Sequence, residues 1–181
     1  MARLPLQENL PGIVGLLAYR PETGRPLTDL ADALLYAGSS LSRGERELIA
    51  TYVSSRNDCT YCRMSHGAFA AAQLNRGDET IAEVIADPQS APISPKLKAL
   101  LALAGKVARD GKDVTDNDIA AARAAEATDL EIHDTVLIAA AFCMYNRYVD
   151  ALAGWVPEDP ALYAAKAPAI VEKGYRATIP T

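Results

Sequence analysis

The chain has 181 residues, half of them hydrophobic but only 6% aromatic, with a formal net charge of −5. The acidic residues are scattered and no basic stripe or Gly-rich phosphate loop appears, which argues against nucleic acid and nucleotides as partners. The longest uncharged apolar run, Val136–Met144, is too short to cross a bilayer and the N-terminus lacks a signal-peptide core, so a soluble, cytoplasmic chain with no membrane partner is expected, folded as a single domain over 1–181.

Alanine and leucine supply most of the apolar mass, which favours close-packed helices over β-branched strands. Residues 1–26 are rich in Pro and Gly and read as mostly irregular, with one helical turn around Ile13–Tyr19. "LTDLADALLYAGSS" predicts a helix ending near Gly38. "SRGERELIATYVSSRN" predicts the next, with Ser42 and Glu45 spaced as a capping box and Leu48, Ile49, Tyr52 and Val53 at helical spacing. Asn57-Asp58 breaks that helix. Asp58 is expected to cap a following helix from Cys59 to Leu74, which Asn75-Arg76-Gly77 stops.

A short helix over Glu79–Ala86 leads into the loop "DPQSAPISP". "SPKLKALLALAGKVARDG" has a defined start and stop: Ser94 as cap, Pro95 at the first position and Gly111 past the end. "TDNDIAAARAAEA" and the longest segment, "DLEIHDTVLIAAAFCMYNRYVDALAG", complete the helices. A tail carrying Pro157, Pro160, Pro168 and Pro180 is expected to drape over the body. No segment alternates as a strand should, so the expected fold class is all-α.

The chemistry concentrates in "NDCTYCRMSHGAF", Asn57–Phe69. On a helix, Cys59, Cys62 and His66 fall within an arc of about 60°. The two cysteines are one turn apart, within the Cα separation that a disulfide tolerates. His66 lies one turn beyond Cys62, in reach of its sulfur. Both sulfurs sit in the first turn, where the positive end of the helix favours an anion, so a lowered thiol pKa is expected. A thiolate beside a second thiol suits two-electron redox: peroxide oxidises the first sulfur to a sulfenic acid, and the second condenses with it and releases water. Cys62, nearer His66, is the expected attacker. Cys59, expected at an exposed helix start, is the resolving thiol and the access point for a reductant. Upstream, Glu45 is occupied by the capping box, which leaves Glu47 to orient His66 and strengthen it as a base.

Other roles compete for these residues. Cys59, Cys62 and His66 give three zinc ligands where a structural site wants four, and His133 or Cys143 would have to fold back to supply the last. Haem attachment needs CxxCH, and Arg63 follows Cys62. Cys143 reads as an apolar filler and His133 as structural. Asn146, Arg147 and Asp150 suit either a polar network near the site or an ion pair at a subunit interface. A weak internal echo places Glu131 twelve residues before Cys143, as Glu47 stands before Cys59. Past Arg63, "MSHGAFAAAQL" is apolar on every side and needs cover, which predicts that it contributes to a subunit interface.

Glu47, the twelve-residue step to Cys59, and "CTYCRMSH" as CxxCxxxH resemble the alkylhydroperoxidase D-like branch of the carboxymuconolactone decarboxylase family. "SRGERELIATYVSSRNDCTYC" looks like that family's helix leading into the motif. "NRYVDALAG" is similar to a second segment of its peroxidase-related members. The resemblance is strongest over residues 40–75, extends to a motif core of about 40–155, and leaves 1–25 and 158–181 without any part of the motif. It implies an all-helical homo-oligomer, often a hexamer built from trimers or dimers. It implies a thiol peroxidase for hydrogen peroxide or organic hydroperoxides that needs no metal or bound cofactor. Its attacking thiol falls on Cys62, its resolving thiol on Cys59, and its proton relay on His66 and Glu47. The electron donor it implies is a thiol, in the best-studied case a lipoyl-bearing protein. One departure is Tyr61, where that enzyme has a second histidine. The alternatives are a helical assembly using CxxC as a redox sensor or metal clip, and a decarboxylase-like enzyme acting on a small lactone; the family's lactone decarboxylases generally lack the CxxC pair.

Overall fold

Ser42 and Glu45 form the expected capping box: Glu45 N–H donates to Ser42 Oγ at 3.2 Å, and Ser42 N–H donates to Glu45 Oε2 at 2.8 Å. The helix they start is one of ten in the computed structural model of the protein, which describes residues 3–152 and 154–180 and contains no strand among them. In chain order these are α1 (Ile13–Tyr19), α2 (Pro21–Leu35), α3 (Arg43–Arg56), α4 (Thr60–Ala71), α5 (Gly77–Ala86), α6 (Pro95–Arg109), α7 (Asp116–Ala124), α8 (Asp129–Leu152), α9 (Ala161–Ala164) and α10 (Ala167–Lys173). The all-α expectation holds. No described helix is long and apolar enough to cross a membrane.

The central element is α3, which is buried along one unbroken stretch from Arg46 to Ser54 and packs against α4, α6 and α8. Leu48, Ile49, Ala50 and Val53 are fully buried there. So are four polar side chains, and each needs a partner to offset lost hydration. Arg46 donates to Leu34 O at 2.9 Å and Ala37 O at 2.7 Å, at the C-terminal end of α2 where carbonyls lack helical partners. Thr51 donates to Glu47 O at 2.7 Å, and Ser54 Oγ accepts from Asn146 at 3.1 Å. Glu47 belongs to the site.

Two local expectations are corrected and a third is extended. Helix α2 begins at Pro21, six residues before the expected Leu27, so residues 21–26 are helical. Pro21 suits the first helical position, and Pro26 inside the helix is tolerated because the segment is held against α1. A Cβ on Gly24 would stand 2.2 Å from Leu17 O, so glycine is what lets α1 and α2 touch. Second, Asp58 does not cap α4. It adopts φ 56°, a left-handed conformation that Asp tolerates, and Cys59 occupies the N-cap in an extended conformation. Third, the apolar helix α4 takes cover from this chain's own tail as well, since α9 and α10 both pack on it and bury Tyr163 and Ile170.

That tail is tied down. Asp32 Oδ1 accepts from the backbone of Tyr175 at 2.8 Å and Arg176 at 3.2 Å, and Arg176 Nε pairs with Asp29 at 2.6 Å. Gly174, at φ 75°, makes the turn, and a Cβ there would meet Asp32 Oδ1 at 2.5 Å.

At the start of α8, Glu131 is 1% exposed and accepts from Lys96 Nζ and Thr128 N–H, both at 2.8 Å. Burial pushes its carboxyl up, but Lys96, Thr128 and Ser40 outweigh burial and hold it at about 2, below the ordinary 4.5. A depressed folded-state value stabilises the fold above the unfolded value, and that contribution is lost as pH falls through the folded one. Glu131→Gln is therefore expected to remove about 1–2 kcal/mol at pH 7 and to flatten the loss of stability between pH 4.5 and 2, read from urea midpoints across that range.

Candidate active site

Helix α3 delivers Glu47 and α4 delivers Cys62 and His66, and the two helices pack closely. Glu47 is 2% exposed, and no arginine or lysine pairs with it among the described residues. Its neighbour Arg46 is turned to the carbonyls of α2. His66 Nδ1 stands 2.7 Å from Glu47 Oε2. The imidazole is clamped edge-on by Phe142, with ring centroids 4.6 Å apart, and by Phe69 at 5.6 Å. With Nδ1–H donated to the carboxylate, the lone pair sits on Nε2, the form that can take a thiol proton.

A third group completes the arrangement. Tyr175 OH donates to Glu47 Oε1 at 2.5 Å and lies 3.2 Å from His66 Nδ1. Complete burial and the adjacent Glu47 carboxylate push its phenol well above the ordinary range, so it remains a donor. Tyr175 lies in the tail, 128 residues from Glu47 in sequence and outside the recognisable motif. No spacing rule could have found it; the only trace is a tyrosine directly after a glycine in a Pro-rich tail.

Cys62 and His66 open onto a cavity of about 330 Å³. Its walls are mainly apolar, with Ile13, Val14 and Leu17 from α1, Leu27 from α2, Phe142 from α8 and Ile170 from α10. Polar groups are few. Ser65 lies beside Cys62, and Thr28 is buried with its hydroxyl unpartnered. The N-terminal segment, expected to stand apart from the chemistry, thus builds one wall through the helical turn anticipated at Ile13–Tyr19.

Cys59 differs from expectation. It is fully buried, enclosed by Tyr61, Cys62, Val149 and Tyr163, and it does not line the cavity. Its N–H is tied to Ser54 O at 3.0 Å, which draws the helix start inward instead of leaving it exposed. The expected lowering of its pKa is reversed: the hydrogen bond with Cys62, then burial, push the Cys59 thiol up, and Asp150 adds to this. The bond with Cys62 and burial both disfavour a thiolate at Cys59.

Tyr61 packs its ring on Gly12, where a Cβ would clash at 2.4 Å, and lies 5.9 Å from the Tyr163 ring. Burial pushes its phenol up, and Ser65 is its side-chain partner. Asn146 accepts from Asn57 at 2.9 Å and donates to Ser54, tying α8 to the junction before the motif. Asp150 approaches Cys59, whereas Arg147 only bonds Cys143 O of its own helix. Cys143 is half-buried against Asn57 and Ala108 O, and His133 is exposed beside Asp134. Neither joins Cys59, Cys62 and His66 in a common cluster, and no group of three metal-capable side chains is assembled among the described residues. Glu131, the counterpart of Glu47 in the internal echo, serves the start of α8 instead.

Residues 21–91 match the carboxymuconolactone decarboxylase family. An uncharacterized peroxidase-related protein from Ralstonia eutropha JMP134, described as an alkylhydroperoxidase AhpD core, is 30% identical to this chain with a TM-score of 0.76. The similarity covers 85% of this chain and 79% of that one. An uncharacterized peroxidase-related protein from Silicibacter sp. TM1040 is 27% identical with a TM-score of 0.74, over 85% and 78% of the two chains. A search of curated proteins found no match.

Proposed function

The chain belongs to the carboxymuconolactone decarboxylase family, in its alkylhydroperoxidase D-like, peroxidase-related branch, and from that premise we propose that it is a thiol peroxidase. The observation that carries the reading is the 2.7 Å contact between His66 and the buried Glu47, beneath a cysteine that faces a cavity. His66 takes the Cys62 proton, with Glu47 holding the imidazole. The Cys62 thiolate attacks the terminal oxygen of a hydroperoxide. The O–O bond breaks, the alkoxide leaves as an alcohol with the proton from His66, and Cys62 becomes a sulfenic acid. Cys59 then attacks the Cys62 sulfur, closing the disulfide and releasing water. A dithiol donor returns two electrons and two protons.

The donor's route follows from the burial of Cys59. Cys62 is the sulfur that faces the cavity, so reduction of the disulfide begins there, not at Cys59 as the sequence suggested. A slender dithiol such as the arm of a lipoyl-bearing protein suits that path.

The apolar walls favour an organic hydroperoxide over hydrogen peroxide, because each buried CH₂ contributes about 0.8 kcal/mol. Reduced protein is expected to react with cumene hydroperoxide at least about tenfold faster than with hydrogen peroxide in rapid-mixing experiments. Equal rates would show that the cavity does not take the substrate; no reaction with either peroxide would end the peroxidase reading.

For the homo-oligomer, the surface best suited is on α8. Leu130, Leu137 and Met144 are 60%, 38% and 43% exposed and recur every seven residues, with Ala140 and Ala151 on the same stripe. Such a stripe suits a helix of a second copy. Leu137→Glu is expected to reduce the oligomer to a smaller species in sedimentation velocity; an unchanged mass would place the contact elsewhere.

A further inference from the structure

A carboxylate buried as Glu47 is retains its charge only with enough donors; otherwise it takes a proton. Protonation here would reverse the relay. A neutral Glu47 donates to His66 Nδ1, which moves the imidazole proton to Nε2 and removes the lone pair that Cys62 needs. What keeps Glu47 ionised is therefore a functional question.

The surroundings leave one answer. On α3, Arg46 is spent on the Leu34 and Ala37 carbonyls. On α4, His66 serves Oε2. On α2, Asp32 faces Tyr175 with a carboxylate occupied by the backbone of Tyr175 and Arg176. On α8, Tyr145 donates its hydroxyl to Leu27 O at 2.8 Å. Lys166 lines the cavity but is exposed and makes no ion pair with Glu47. Oε1 of Glu47 is served by the Tyr175 hydroxyl, held in place by the Gly174 turn and the Asp32 clamp.

We propose that Tyr175 is a positioning residue of this site: its hydroxyl donates to Glu47 Oε1, keeps Glu47 a carboxylate, and thereby holds His66 in the form that accepts the Cys62 proton. The C-terminal segment is then part of the relay and not only a cover. The proposal rests on the peroxidase reading for its purpose, but its test does not require peroxide.

The test is the pH dependence of Cys62 alkylation by iodoacetamide, followed by peptide mapping so that Cys59 and Cys143 are counted separately. In the reactive form Glu47 accepts from both His66 Nδ1–H and the Tyr175 hydroxyl, so losing one donor disfavours that form. Tyr175→Phe, which keeps the ring, is expected to move the acid limb up by about one pH unit and to slow alkylation about tenfold on that limb. Incorporating 3-fluorotyrosine at position 175 gives a stronger donor of nearly the same shape and moves the limb down. An unmoved limb in both variants, even with a lowered Tm, would reduce Tyr175 to packing and overturn the proposal, as would shifts of the same sign. If the Tyr175→Phe shift appears while wild type ignores every peroxide, the relay stands and the peroxidase reading falls.

Discussion

Replacing Cys62 with serine is expected to lower the rate of reaction with an alkyl hydroperoxide by at least about a thousandfold. A serine hydroxyl is far less acidic than a thiol, and it is a far weaker nucleophile toward an O–O bond. Cys59 cannot take over, because it is fully buried, does not line the cavity, and burial pushes its thiol up. The companion variant, Cys59→Ser, should behave differently. It keeps the first step near the wild-type rate, loses one thiol per chain, and leaves a sulfenic acid on Cys62 that dimedone traps. Activity that survives both substitutions would favour an enzyme acting on a lactone or carbonyl compound with the thiols incidental. A wild type that oxidises once but never turns over with a dithiol would favour a redox sensor.

Glu47→Gln is expected to reduce the rate of Cys62 oxidation about 10²- to 10³-fold, in the range of general-base assistance. The amide keeps the shape of the carboxylate but offers His66 Nδ1 an N–H in place of an acceptor, or holds it with a neutral oxygen. Either way the imidazole loses the charge that makes it a strong base. Stability should move in the other direction or not at all, because replacing a buried charge with a neutral isostere removes a desolvation cost of several kcal/mol. Glu47→Ala should instead lower stability by about 1–3 kcal/mol, since it leaves the Tyr175 hydroxyl and His66 Nδ1 unpaired beside a void. Urea midpoints for the two variants, set beside their oxidation rates, separate a residue kept for chemistry from one kept for the fold. Glu47→Gln with wild-type kinetics would remove Glu47 from the relay.

The parts of this molecule that could be read from the sequence are those whose physics is local. The capping box at Ser42 and Glu45 and the Ser94-Pro95 start need only neighbours in the chain, and both stand where the sequence put them. The step from Glu47 to His66 was legible because two consecutive helices carry it. Where local rules failed, a distant partner decided the outcome. Pro26 reads as a breaker, yet α2 runs through it because Gly24 seats that helix on α1. Cys59 sits at a helix start, normally an exposed place, but Tyr163 and Val149 close over it from roughly a hundred residues away in the chain. The apolar excess of α4 did signal a need for cover, but could not say whether a second subunit or the chain's own tail would supply it. Tyr175 is the extreme case, since its role depends entirely on where the Gly174 turn and Asp32 place the tail.

The proposed peroxidase activity requires Cys62 and Cys59 to act as a peroxide-driven dithiol pair. Its most direct test mixes fully reduced protein rapidly with one equivalent of cumene hydroperoxide, quenches with acid, alkylates and maps the cysteines. The expected result is two thiols lost per chain, joined as a Cys59–Cys62 disulfide, with Cys143 still free and a rate orders of magnitude above that of glutathione. Loss at the glutathione rate, or a disulfide that includes Cys143, would contradict it.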